Sequence, residues 1–124
     1  MKNILIVDDE DLLCYSLSAA LMRNDTFVKI VSCCKKDALT EIGCNFYNLC
    51  FFDIRLPDAD GLDMVKAVHE ASPATKIIIM SIMTANEIDE DLMSDVQKNS
   101  WYFLPKPFEL GNVRSLVDRA SQYP

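Results

Sequence analysis

The sequence has a single histidine, His69, and no C-x-x-C pair among its five cysteines, which excludes a zinc centre built from cysteine and histidine. No run approaches the ~20 apolar residues of a membrane span. The first apolar run, Ile4-Leu5-Ile6-Val7, is too short for a secretory signal and is closed at once by Asp8. Cations are scarce. Against 19 Asp and Glu stand 12 Lys and Arg, a net charge of −7, which argues against this chain gripping a nucleic-acid backbone by itself. What remains is a chain of 124 residues, 50% hydrophobic and 25% charged, large enough to bury a core and too apolar to be disordered. Cys14, Cys33, Cys34, Cys44 and Cys50 are odd in number and read as small buried hydrophobes in a reducing cytoplasm.

Apolar runs of strand length alternate with segments of helical period from end to end. Ile4 to Val7 is continuous and β-branched, as expected of a parallel strand buried on both faces. A helix is expected over 11–22, with Leu13, Leu17, Ala20 and Leu21 on one face. A second strand is expected over 27–31, then a short helix over 36–42 ended by Gly43. Leu49-Cys50-Phe51-Phe52 is a third strand running into Asp53; Pro57 and Gly61 punctuate a loop before the stripe Leu62, Val65, Val68. Pro73 precedes a fourth strand over 76–80. Ile88, Leu92 and Val96 mark a helix, 101–104 a fifth strand, and Leu110, Val113, Leu116, Val117 and Ala120 a last helix. Strict alternation implies one α/β domain with a parallel sheet covered on both faces.

In such a sheet, functional groups gather at the carboxyl ends of the strands. Asp8 and Asp9 end the first strand and Asp53 ends the third, which is its expected neighbour. Each like-charge pair ~5 Å apart costs roughly 3 kcal/mol at an effective dielectric of ~20, so a cation is called for. Mg²⁺, which prefers one or two carboxylates with several waters, fits best. The bland alternative is that Asp8, Asp9 and Asp11 cap the following helix. It leaves Asp53 unexplained, because Pro57 stands before the next helix. Ser81 after the fourth strand and Lys106 after the fifth add a hydroxyl and a cation, the parts that phosphoryl transfer to a carboxylate needs.

Ile6-Val7-Asp8-Asp9-Glu10, Asp53-Ile54-Arg55-Leu56-Pro57-x-x-Asp60-Gly61 and Lys106-Pro107-Phe108 together resemble the receiver domain of two-component response regulators. The resemblance covers almost the whole chain and implies a single receiver over 1–124. The implied fold is a doubly wound, flavodoxin-like sheet of order 2-1-3-4-5. It implies Asp53 as phosphoacceptor, charged by a sensor histidine kinase or phosphotransfer protein. Asp9 would bind Mg²⁺ directly, Asp8 largely through water, and the backbone carbonyl of Arg55 would complete the protein ligands. Lys106 would pair with the phosphoryl group, Ser81 would hydrogen-bond it, and Phe103 stands at the switch-aromatic position. Such a domain is a switch rather than an enzyme, its chemistry limited to its own phosphorylation and slow dephosphorylation.

The sequence departs from the family pattern in places. Ile82 follows Ser81 where a small residue is usual, whereas Thr84-Ala85 offers the usual pair; Ser81 is preferred because it ends the strand cleanly, with Thr84 the alternative. Asn99 replaces a common glycine, and Phe103 lacks the hydroxyl of the commoner tyrosine. Trp101, Tyr102, Met80, Met83 and Met93 read as packing, His69 as an exposed polar residue, and Lys35, Lys36, Arg114 and Arg119 as solvated helix faces. Three other classes are weaker. A flavodoxin-like cofactor carrier would find its phosphate repelled by residues 8–11. An aspartate-nucleophile phosphatase would want a cap domain. A receiver-like interaction domain would have no use for Asp8, Asp9, Asp53 and Lys106. The chain fits either a stand-alone receiver or one cut from a longer regulator with an output domain; Tyr123-Pro124 reads as the start of a linker and favours the second, and a homodimer is common in the family.

Overall fold

Side chains on a strand alternate between the two faces of a sheet, and this sequence is apolar on both. The consequence is a central parallel sheet with two separate cores. The computed structural model describes residues 2–8, 10–23, 25–31, 35–53, 55–56, 59–81, 102–106 and 108–122. Its elements run β1 (Lys2–Val7), α1 (Asp11–Leu21), β2 (Thr26–Val31), α2 (Lys35–Cys44), β3 (Leu49–Asp53), β4 (Arg55–Leu56), β5 (Ala59–Asp60), α3 (Gly61–Ala71), β6 (Lys76–Ser81), β7 (Tyr102–Pro105) and α4 (Leu110–Gln122). The main sheet has the order β2-β1-β3-β6-β7 with every pairing parallel, which is the doubly wound order that the family resemblance implies. The helix expected around Ile88, Leu92 and Val96 lies outside the described residues.

One core lies between the sheet and α2 and α3. It joins Leu5 and Val7 to Cys50, Phe52, Ile77 and Ile79, with Ala38, Ile42, Val65 and Val68 from the helices. The other lies under α1 and α4, where Ile4, Ile6, Phe51, Ile78 and Met80 meet Leu17, Leu21, Val113 and Leu116. The odd–even split between the two sets is the period-two pattern made solid. Each such side chain stabilises the fold by about 1.5–3 kcal/mol relative to exposure. β1 and β3 sit at the centre of the sheet, so the residues that follow them are held by packing on both sides.

The helix expected to stop at Gly43 continues through it to Cys44. No other side chain or backbone crowds Gly43, so it neither turns the chain nor admits a neighbour there. The loop expected between Asp53 and Gly61 contains a two-residue antiparallel ribbon, Arg55 pairing with Asp60 and Leu56 with Ala59. Arg114 is not merely solvated: its Nε donates to the Ala20 carbonyl at 2.8 Å, tying α4 to the last turn of α1. Arg23 pairs with Asp118 at 3.3 Å across the same two helices. Tyr102, expected to pack, is 39% exposed, while Met80 is fully buried and His69 exposed as expected. Cys14 and Cys50 are buried, but Cys44 is exposed. Among the described residues no helix is long and apolar enough to cross a membrane.

Because Gly43 is helical and uncrowded, Gly43→Ala should stabilise the protein by about 0.5 kcal/mol through lower unfolded-state entropy. Urea unfolding checks this; a lower midpoint would show that Gly43 serves the end of α2.

Candidate functional site

Val7 pairs with Phe52, so Asp8 and Asp53 leave adjacent parallel strands at the same level. Strands in a sheet stand about 4.8 Å apart, so the fold itself puts the two carboxylates within ion-pairing range of one cation. That cation is Lys106, which follows β7. Its backbone N–H donates to the Ser81 carbonyl at 2.6 Å, anchoring it to the end of β6. Its ammonium lies 2.8 Å from Asp8 Oδ2, 3.2 Å from Asp53 Oδ2 and 3.8 Å from Glu10 Oε1. Lys106 is thus shared, and lies nearer to Asp8 than to Asp53.

Asp8 is the fixed point of the site. Its side chain is 0% exposed, and bonds meet it from four directions. Its N–H donates to Val31 at 3.3 Å, and its Oδ1 accepts from the Glu10 N–H at 3.0 Å. Its carbonyl accepts from the Cys14 thiol at 3.5 Å, and its Oδ2 accepts from Lys106. Burial, reinforced by the charges of Asp8 and Asp11, pushes the Cys14 thiol up to about 11, so it remains the donor in that contact. Asp8 therefore does not cap α1; the N-cap position falls to Glu10, which makes no side-chain capping bond. Asp53 is the more open carboxylate, its side chain 12% exposed.

Burial alone would push the Lys106 ammonium down. The hydrogen bond to Asp8 and the charges of Asp53 and Asp8 outweigh it and hold Lys106 above its usual 10.5. Oxygens of Asp8, Glu10 and Asp53 lie within 4.8 Å of one another. Three hard oxygen donors at that spacing fit a small divalent cation. Glu10 is the member that the sequence pattern did not single out. The signal was there, a third acid two residues beyond Asp8, but only the turn stabilised by Asp8 Oδ1 brings it round to the site.

Ser81 is buried at the end of β6, one residue beyond Met80, the partner of Asp53 in the sheet. Phe103 pairs with Ile79 and is partly buried against the core under α2 and α3. Arg55 lies in the ribbon that follows Asp53. Asp9, Thr84, Ile82, Asn99 and Trp101 lie outside the described residues.

A five-stranded parallel sheet with acids at its switch point and a lysine folded back over them defines a class of phosphoryl-handling signalling modules. The model of the response regulator receiver domain matches residues 4–118, and the chain belongs to that family, the phosphoacceptor modules of two-component systems. The chain is 31% identical over 119 residues to the response regulator protein PilR of Pseudomonas aeruginosa, covering 96% of this chain and 26% of that one. It is 29% identical over 118 residues to the DNA-binding transcriptional regulator NtrC of Proteus hauseri, covering 95% of this chain and 24% of that protein. The chain thus spans about a quarter of the length of these curated relatives. Among solved structures it resembles a CheY-like receiver domain from Methanospirillum hungatei (TM-score 0.86, 23% identity, covering 98% and 95% of the two chains). It also resembles the response regulator TrrA of Thermotoga maritima in complex with Mg(2+)-BeF (TM-score 0.81, 23% identity, 97% and 99% covered).

The raised Lys106 has a consequence for pH. Its contribution to stability is complete below the unfolded lysine value of about 10.4 and is lost as pH rises through the higher folded value. Unfolding midpoints followed from about pH 9 upward should fall more steeply for the wild type than for Lys106→Met. Parallel curves would mean that the lysine is not coupled to the acids.

Proposed function

We propose that Asp53 is the phosphoacceptor and that the domain takes a phosphoryl group from a phosphohistidine of a sensor kinase or phosphotransfer protein. The observation that carries this reading is the contrast between the two central carboxylates. The Asp8 side chain is 0% exposed, whereas that of Asp53, at the end of the central strand, is 12% exposed and is the one an incoming donor can reach. An ionised carboxylate attacks phosphorus without first losing a proton. The P–N bond to the donor imidazole breaks, that nitrogen keeps the electron pair and takes a proton, and an acyl P–O bond forms on Asp53.

Lys106 stays with the site throughout, neutralising Asp8 and Asp53 at rest and the added phosphoryl oxygens afterwards. A Mg²⁺ ion would draw charge from the phosphoryl oxygens as it transfers. Asp8, Asp53 and Glu10 are the described residues able to hold it, with Asp9 and the Arg55 carbonyl as the further ligands the family pattern supplies. The Mg(2+)-BeF complex of TrrA supports the same cofactor here. Ser81, with Thr84 as the alternative, is proposed to bond the phosphoryl group, and Phe103 to report it to the surface. The domain is a switch rather than an enzyme and acts in the cytoplasm. The fourfold length of PilR and NtrC supports control of an output domain beyond this segment.

Intact mass after incubation with acetyl phosphate and Mg²⁺ tests the reading. The wild type should gain one phosphate, labile to hydroxylamine as an acyl phosphate is, and Asp53→Ala should gain none. Retention of the adduct in Asp53→Ala would overturn the assignment.

A further inference from the structure

Glu10 takes part in two interactions that compete. Its carboxylate lies 3.8 Å from the Lys106 ammonium, and its oxygens belong to the same group as those of Asp8 and Asp53 that fits a divalent cation. A lysine and a divalent cation repel each other, so a carboxylate between them is drawn one way or the other. Of the three acids, Glu10 is the most exposed, its side chain 59% exposed against 12% for Asp53 and 0% for Asp8. Asp8 is also held from four directions. The Glu10 backbone is itself fixed, its N–H on Asp8 Oδ1 and its carbonyl accepting from Cys14 at 3.0 Å, so only the side chain moves.

We propose that Glu10 is a positioning residue for Lys106. It holds the ammonium toward the start of α1 in the metal-free resting protein and lets it go when its own carboxylate turns to a divalent cation. Cation occupancy and the release of Lys106 from Glu10 are then one coupled event, with Glu10 as the coupler. This deepens, and rests on, the phosphoacceptor reading of the same site.

The test is nitrogen NMR of the lysine side chains during a Mg²⁺ titration, which needs no phosphorylation. In Glu10→Gln the metal-free Lys106 Nζ signal should already sit displaced toward the Mg²⁺-loaded position of the wild type. Glu10→Asp should fall between the two. Mg²⁺ affinity measured in a double-mutant cycle adds an independent reading. With Lys106 gone, Glu10 no longer gives up a partner to bind the cation, so Glu10→Gln should weaken Mg²⁺ binding about threefold more in the Lys106→Met background than in the wild type. If Lys106→Met does not fold, the Nζ signal of Glu10→Gln decides alone. An unchanged Nζ signal, or equal affinity losses in both backgrounds while the wild type still binds Mg²⁺, would overturn the role of Glu10 and leave Asp53 untouched. A wild type that does not bind Mg²⁺ would overturn the cation site as well.

Discussion

The Lys106 ammonium, 2.8 Å from Asp8 and 3.2 Å from Asp53, holds together charges that the fold otherwise forces into repulsion. Parallel pairing of β1 and β3 fixes the level of the two carboxylates, and both strands are buried too deeply to relax apart. With Glu10 beside them, three acids face one lysine among the described residues. That imbalance is what makes the site useful. A group that binds there must bring positive charge, or must arrive with a cation, and its arrival redistributes the lysine. A switch needs only a few kcal/mol of differential stabilisation between its states, and charge pairs of this spacing supply that scale.

The rest of the molecule keeps this geometry rigid. The two cores lock the central strands from both faces, so Asp8 and Asp53 cannot drift without breaking packing. Asp8 is further held by its own N–H on the Val31 carbonyl and by bonds from Glu10, Cys14 and Lys106, while Asp53 is the more exposed of the two central carboxylates. On the far end, α4 is fastened to α1 by Arg114 and to β6 by Lys76, whose ammonium donates to the Ala120 carbonyl. Rigid scaffold and exchangeable charge therefore lie on different parts of the same sheet.

Much of this was legible in the residues. Unbroken apolar runs such as 77–80 announce buried parallel strands, and the acids that close the first and third runs announce the switch point. Strand boundaries came within a residue or two, because apolar pattern marks the buried part of a strand and not its ends. Gly43 misled because glycine ends helices only where the backbone needs it, and α2 continues one residue past it. The ribbon of β4 and β5 was hidden because two-residue strands carry no period. Glu10, the Cys14 thiol on Asp8 and the Arg114 link to Ala20 depend on how loops and helix ends turn, which spacing does not encode.

The central claim is that the resting site holds more like charge than its lysine neutralises. Urea unfolding of the metal-free protein at neutral pH, comparing the wild type with Asp53→Asn, measures this directly. An overcharged site predicts a higher midpoint for Asp53→Asn, a gain of about 1–3 kcal/mol from relieved repulsion after the loss of one lysine contact. A lower midpoint for Asp53→Asn would contradict it, since the Lys106 pairing would then outweigh the repulsion and the site would be balanced before any ligand arrives.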